Sequence, residues 1–203
     1  MSHLANNLIH KGYLKTDTYI EAFSEISRAE FLPDKYAGIA DANIALPIGH
    51  GHTAPSPQVL SFMIELLQPQ LKDNVLIVGS GTGWVVALMS YIVGSDGHVT
   101  AIEEMEGLEE KARKNIAKYN FIARDDIVKT VVTPIEDGYA DNAPYNRILS
   151  MHSLEAVSEV LKQQLARDGT MVVPINDVIT YFERTESGEI ERERFDSVLF
   201  SGT

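Results

Sequence analysis

Apolar positions along the chain follow two rhythms that change near residue 70. From Asn74 onward, short continuous apolar runs alternate with stretches of helical periodicity; the runs are NVLIV (74–78), HVTAIE (98–103), IVKTVV (127–132), RILSM (147–151) and TMVVP (170–174). Such runs read as buried strands, because polar–apolar alternation disappears when both faces of a strand are covered. The helical stretches run from Trp84 to Ile92, along Leu108, Ala112 and Ile116, and along Val157, Val160, Leu161 and Leu165, the last closed by Asp168-Gly169. This alternation predicts an α/β fold with a mostly parallel, doubly wound sheet. The tail departs from it: VITYFERT, a turn at Ser187-Gly188 and IERERFDSVLF read as antiparallel strands added at an edge. The first 70 residues read as helical. Thr16 or Asp17 can cap a segment whose Tyr19, Phe23 and Ile26 share a face, with Pro33 beyond its end, and Val59 to Leu67 form a second helix. Between them NIALPIGHGHTAPSP (43–57), rich in Gly, Pro and His, is an ordered loop.

Composition narrows the class. A chain of 203 residues with 44% hydrophobic and 23% charged residues, and no internal repeat or linker, is expected to form one globular domain. Acidic residues outnumber basic ones 29 to 17, a net charge of −12. That balance argues against nucleic acid or an anionic membrane as the main partner, since both select basic faces. With no cysteine there is no disulfide, thiolate chemistry or cysteine metal site. No apolar run reaches the ~18 residues of a membrane span, and MSHLANNLIHKGYL lacks the form of a secretory signal. A soluble, cytoplasmic protein is expected.

The candidate chemistry begins at Gly79-Ser80-Gly81-Thr82-Gly83, between the first strand of the sheet and the next helix. In an open α/β sheet this is the ligand crevice, where glycines permit close backbone approach and the helix start offers free N–H donors. The spacing is G-x-G-x-G; a dinucleotide fingerprint would need a small residue where Trp84 stands. G-x-G-x-G is the pattern of S-adenosylmethionine methyltransferases. The second strand ends in Glu103, about where an acid grips ribose hydroxyls in nucleoside-binding folds.

Over nearly its whole length the chain resembles the protein-L-isoaspartate O-methyltransferases. The resemblance is carried by ISRAEFLP (26–33), LPIGHGHT (46–53), the glycine loop, GHVTAIE (97–103), GYADNAPYNRI (138–148) and LARDGTMVVPI (165–175). It implies a Rossmann-like fold in which residues 71–203 bind S-adenosylmethionine and a helical part, 1–70, covers the substrate. The activity implied is esterification of the carboxylate of isoaspartyl residues in damaged proteins or peptides. Gly79, Ser80, Gly81, Thr82, Gly83 and Glu103 would hold the cofactor. The loop 49–57 would close over the substrate with His52, Thr53 and Ser56, Thr53 hydrogen-bonding the acceptor or shaping the loop. A carboxylate is already ionised at neutral pH, so the reaction needs alignment and exclusion of water rather than a general base.

Several positions depart from the family pattern. Ile77 stands where the family carries an acid, and Thr133-Pro134-Ile135 replaces a Gly-Asp-Gly whose Asp holds the adenine amino group. Pro55, with Ser56 next to it, aligns with the loop serine, and Met151-His152-Ser153-Leu154 replaces small alanines. Each lost hydrogen bond costs about 1–3 kcal/mol, so two lost contacts weaken the cofactor roughly 30-fold to 10⁴-fold unless replaced. Glu136 or Asp137 is the expected replacement for the adenine acid. His152 either acts on the acceptor, orienting it or serving as base, or is a histidine at a helix start. His50 and His52 either shape the loop or begin a metal site, and Trp84 packs between the first helix and the sheet. The charged run 183–194 is a solvated hairpin edge. Two other functions stay open: a methyltransferase with a different acceptor, and a family member that has lost catalysis and acts as a binding protein.

Overall fold

Val75, Leu76, Ile77 and Val78 are all fully buried, and their alternating side chains feed two different cores. Val75 and Ile77 face the cluster that contains Leu60, Ile64, Val86 and Met89, whereas Leu76 and Val78 join Ile148, Leu161, Met171 and Val173. A strand covered on both faces has to be central, and β3 (Asn74–Val78) is central. The structure, a computed structural model, describes residues 1–119, 127–188 and 190–199; Glu189 of the charged run and Phe200 at the end of the predicted last strand lie outside them.

The sheet runs β5-β4-β3-β6-β7-β8-β9. Its members are β4 (His98–Glu103), β5 (Val128–Val132), β6 (Tyr145–Ser150), β7 (Leu165–Ile175), β8 (Val178–Arg184) and β9 (Ile190–Leu199). Pairing is parallel from β5 to β7 and antiparallel from β7 to β9, as the sequence pattern predicts. The chain winds outward from β3 to β5 and returns to β6 on the other side of β3, so the strand order reverses between β3 and β6. That reversal opens a crevice beyond the carboxyl ends of the strands. Helices α4 (Trp84–Val93) and α5 (Glu106–Ile116) follow β3 and β4. The N-terminal helices α1 (His3–His10), α2 (Asp17–Glu25) and α3 (Pro57–Leu67) pack into the same core as α4. No helix among the described residues is long and apolar enough to cross a membrane.

Two elements differ from the pattern reading. The helix expected to run to Leu165 is a five-residue α6 (Glu159–Gln163), and β7 begins at Leu165. Gln164 ends the helix: its buried amide donates to Asp137 O and accepts from Tyr139 N, while its own carbonyl accepts from Tyr145 N and starts the β6–β7 ladder. Asp168, at φ 55°, sits inside β7 where the register against β6 shifts, so Asp168-Gly169 makes a bulge rather than a helix end. The loop 43–57 also contains a hairpin, β1 (Leu46–Gly49) and β2 (His52–Ala54). His50 (φ 54°) and Gly51 (φ 83°) turn it in the left-handed backbone region that tight hairpins require. Leu46, Ile48 and Ala54 pack with Leu108 of α5, which seats the hairpin above the crevice.

Candidate active site

The crevice is a cleft with about 600 Å³ of empty space, part of it open to solvent. Its floor is Gly79–Thr82 and the first residues of α4. One end is Glu103, Glu104 and Ile135, the other Met151 and His152, and His52–Pro55 with Ile48 form the roof. The three glycines at 79, 81 and 83 all have positive φ, and a Cβ at Gly83 would lie 3.1 Å from the backbone of Ala112. Glycine at 83 thus lets α4 start against α5.

The loop amides are mostly committed to the protein itself. Gly79 and Ser80 N–H both donate to Ile102 O, Gly83 N–H donates to Ser80 O, and Gly81 N–H donates to Glu103 Oε2 at 2.8 Å. Thr82 N–H and the first turn of α4 remain as donors for a ligand, so the expected cradle of amides is displaced from the glycines toward the helix start. Glu103 is 5% exposed, and its Oε1 also accepts from Glu104 N at 3.1 Å and Met105 N at 3.2 Å. Three backbone bonds fix this carboxylate, leaving about one of its acceptor sites for a sugar hydroxyl.

Buried polar atoms around the cleft lack partners. Thr53 Oγ1, Ser80 Oγ and Trp84 Nε1 all belong to residues that line it, and none makes a hydrogen bond among the described residues. A buried polar group without a partner costs about 1–3 kcal/mol, so three in one cleft mark a place shaped for a polar ligand. The donor set of hydroxyls, an indole N–H, helix-start amides and an acidic end matches a nucleoside bearing an amino-acid tail.

His52 and His152 meet across this space from elements a hundred residues apart, with ring centroids 6.1 Å apart. Neither ring has a hydrogen-bond partner among the described residues. His50 goes elsewhere: a Cβ at Gly107 would come within 3.0 Å of its Nε2, which puts that imidazole against the first turn of α5. The H-x-H pair therefore diverges, and no group of three metal-ligating side chains occurs among the described residues.

Other predicted residues are placed differently. Ser56 is the N-cap of α3, accepting from Val59 N at 3.4 Å, and does not line the cleft. Glu136 is exposed and outside the cleft; its backbone carbonyl accepts from the Ser158 hydroxyl. The chain turns so that Ile135 faces inward, and Asp137, also outside, gives its carbonyl to Gln164. Ile77 lies wholly in the core. Trp84 does pack against α2, edge-on to Phe23 at 5.7 Å, but it also forms a wall of the cleft.

Sequence reasoning missed Arg28. It is 1% exposed, and its guanidinium donates to Ala40 O, Ala42 O, Ile44 O and Pro55 O while lying 5.3 Å from the Trp84 ring centre. Burial lowers it to about 10, so it stays charged at neutral pH. One nitrogen, Nη2, holds Ile44 O and Pro55 O, the two stems of the roof hairpin. An arginine inside the apolar stretch ISRAEFLP is the only local signal.

Comparison with known proteins places this architecture. The family described as protein-L-isoaspartate(D-aspartate) O-methyltransferase (PCMT) matches residues 1–202. The protein-L-isoaspartate O-methyltransferase of Methanopyrus kandleri is 35% identical over 201 residues, covering 97% of this chain and 88% of the relative. That of Aeropyrum pernix is 34% identical over 201 residues, covering 97% and 76%. A solved protein-L-isoaspartate O-methyltransferase aligns with TM-score 0.78 at 26% identity, over 95% of this chain and 63% of its own. A Plasmodium falciparum structure of that kind, in complex with S-adenosyl-L-homocysteine, aligns with TM-score 0.84 over 95% and 92%; at 19% identity it shows the shared fold. The chain belongs to the protein-L-isoaspartate(D-aspartate) O-methyltransferase family.

Proposed function

We propose that this chain is an S-adenosylmethionine-dependent methyltransferase that esterifies the free carboxylate of isoaspartyl residues in proteins. The observation that carries the reading is the cleft itself. It joins a nucleoside-type floor, made of left-handed glycines, the α4 start and the Glu103 carboxylate, to a roof bearing Thr53 and His52, in a chain that matches the family over its length.

When bound, the cofactor would supply an activated methyl group, whose transfer to a carboxylate oxygen would break the carbon–sulfur bond and release the sulfur as a neutral thioether. Everything else falls to the chain's own residues. Glu103, held by three amides, is pre-set to accept from a ribose hydroxyl with little reorganisation. The Thr82 amide and the first turn of α4 face the negative end of the amino-acid tail. Thr53 Oγ1 and the two imidazoles supply donors to the acceptor carboxylate, which in a chain of net charge −12 gains little long-range attraction. The hairpin, clasped by Arg28, excludes water and fixes the approach, the terms that dominate a displacement needing no proton transfer.

Incorporation of labelled methyl into an isoaspartyl peptide and into its normal aspartyl twin tests this. Base-labile methyl ester on the isoaspartyl peptide alone is expected. Equal labelling of both peptides, or none in either, would overturn the assignment of the acceptor.

A further inference from the structure

The two ends of the cleft are chemically different, and sheet order tells which faces which part of a nucleoside ligand. Glu103 ends β4. To one side lie Glu104 and Ile135, toward the β5 edge; to the other lie the glycine loop and then Met151 and His152 beyond β6. Strands are spaced about 4.8 Å apart, so the β4 and β6 ends stand roughly 10 Å from each other. The roof residues His52 and Thr53 belong with His152 at the β6 end, where an acceptor has to meet the reactive group. With the sugar at Glu103, the base of the same ligand extends toward β5.

Adenine brings two apolar faces and a 6-amino group that donates hydrogen bonds. Ile135, 3% exposed, offers an apolar surface at that end. Acceptors there are few. Pro134 has no polar side chain, Glu136 and Asp137 lie outside the cleft, and Glu103 is nearly saturated. Glu104 remains. It lines the cleft, its Oε1 accepts from Ile135 N at 3.3 Å, and no described residue donates to its Oε2. One oxygen thus tethers the carboxylate beside the apolar surface while the other stays open.

We propose that Glu104 reads the 6-amino group of the cofactor's adenine, making it the residue that distinguishes an adenine nucleoside from a 6-oxo one. This rests on the cofactor reading given above. The tether to Ile135 sets where the open oxygen of this exposed carboxylate stands, so an amino group placed beside Ile135 meets an acceptor where a 6-oxo group meets a second negative oxygen.

Calorimetric titration of S-adenosylhomocysteine and S-inosylhomocysteine, which carries a 6-oxo group in place of the amino group, tests it without reference to turnover. The native protein should prefer the adenine compound by roughly tenfold to a hundredfold. Glu104→Ala should bring the two affinities together, mainly by weakening the adenine compound. Glu104→Gln should hold the adenine compound within a few-fold and improve the inosine compound, because a carboxamide both accepts and donates. If Glu104 acts only through the Ile135 amide, its loss weakens both ligands alike and the preference survives in Glu104→Ala; that result overturns the proposal, as does a native protein with no preference. A native protein that binds neither compound overturns the cofactor reading and this inference with it.

Discussion

The two sides of the cleft are built on opposite principles. On the β4 side the backbone of the glycine loop and the Glu103 carboxylate are largely satisfied within the protein, with side-chain atoms such as Ser80 Oγ left over: Glu103 takes three amides, Gly79 and Ser80 share Ile102 O, and Gly83 closes onto Ser80. On the roof side Thr53 Oγ1 is buried without a partner, and His52 faces His152 with neither ring engaged. A wall whose hydrogen bonds are internal keeps its shape whether or not a ligand is present. A wall with unmet donors binds at the cost of its own stability, which is characteristic of surfaces that must release a changing set of substrates.

Several changes can break or sharpen that contrast. The largest effect belongs to Glu103→Ala, which removes the carboxylate proposed to hold the sugar and leaves three amides without an acceptor. S-adenosylmethionine affinity measured by calorimetry should fall about 10²- to 10³-fold; an unaltered Kd would place the sugar elsewhere. Arg28→Lys comes next. A lysine cannot serve four carbonyls with a planar fork, so a stability loss of about 2–3 kcal/mol is expected, and thermal unfolding should drop by roughly 5–10 °C. His152→Ala should lower kcat/KM for an isoaspartyl peptide about tenfold while the Kd for S-adenosylhomocysteine moves by less than about twofold. An equal loss in both would make His152 part of the cofactor wall. The smallest shift is the most telling: Thr53→Val should raise the melting temperature slightly, by up to about 1 kcal/mol of stability, because it removes an unpaired buried hydroxyl. The same change should reduce methylation of the isoaspartyl peptide. A destabilised Thr53→Val protein would mean that the hydroxyl serves the free fold.

The β4 side was also the side legible in the sequence, for a physical reason. Continuous apolar runs, a glycine-rich turn and a terminal acid are local features, and the mostly parallel sheet with its antiparallel edge follows from them. The roof depends on long-range partners that leave no local trace. His52 meets His152 only because the hairpin lies over β6, and Arg28 finds carbonyls up to 27 residues away. Prolines at 47 and 55 hid the short strands of the hairpin inside an apparent loop. The end of α6 was misplaced because Leu165 continues a helical apolar spacing yet pairs with Tyr145 as a strand residue. Glu136 was favoured from its nearness in sequence to Pro134, but the turn that points Ile135 inward carries Glu136 out.

The grip of a single guanidinium nitrogen on Ile44 O and Pro55 O bears on how the cleft opens. Both legs of the hairpin are pinned at one point, so neither can peel away while the other stays. The turn at His50-Gly51, set against the start of α5, lies outside that clasp. The placement of the cleft's roof is accordingly anchored at residue 28, a side chain in the interior that solvent barely touches.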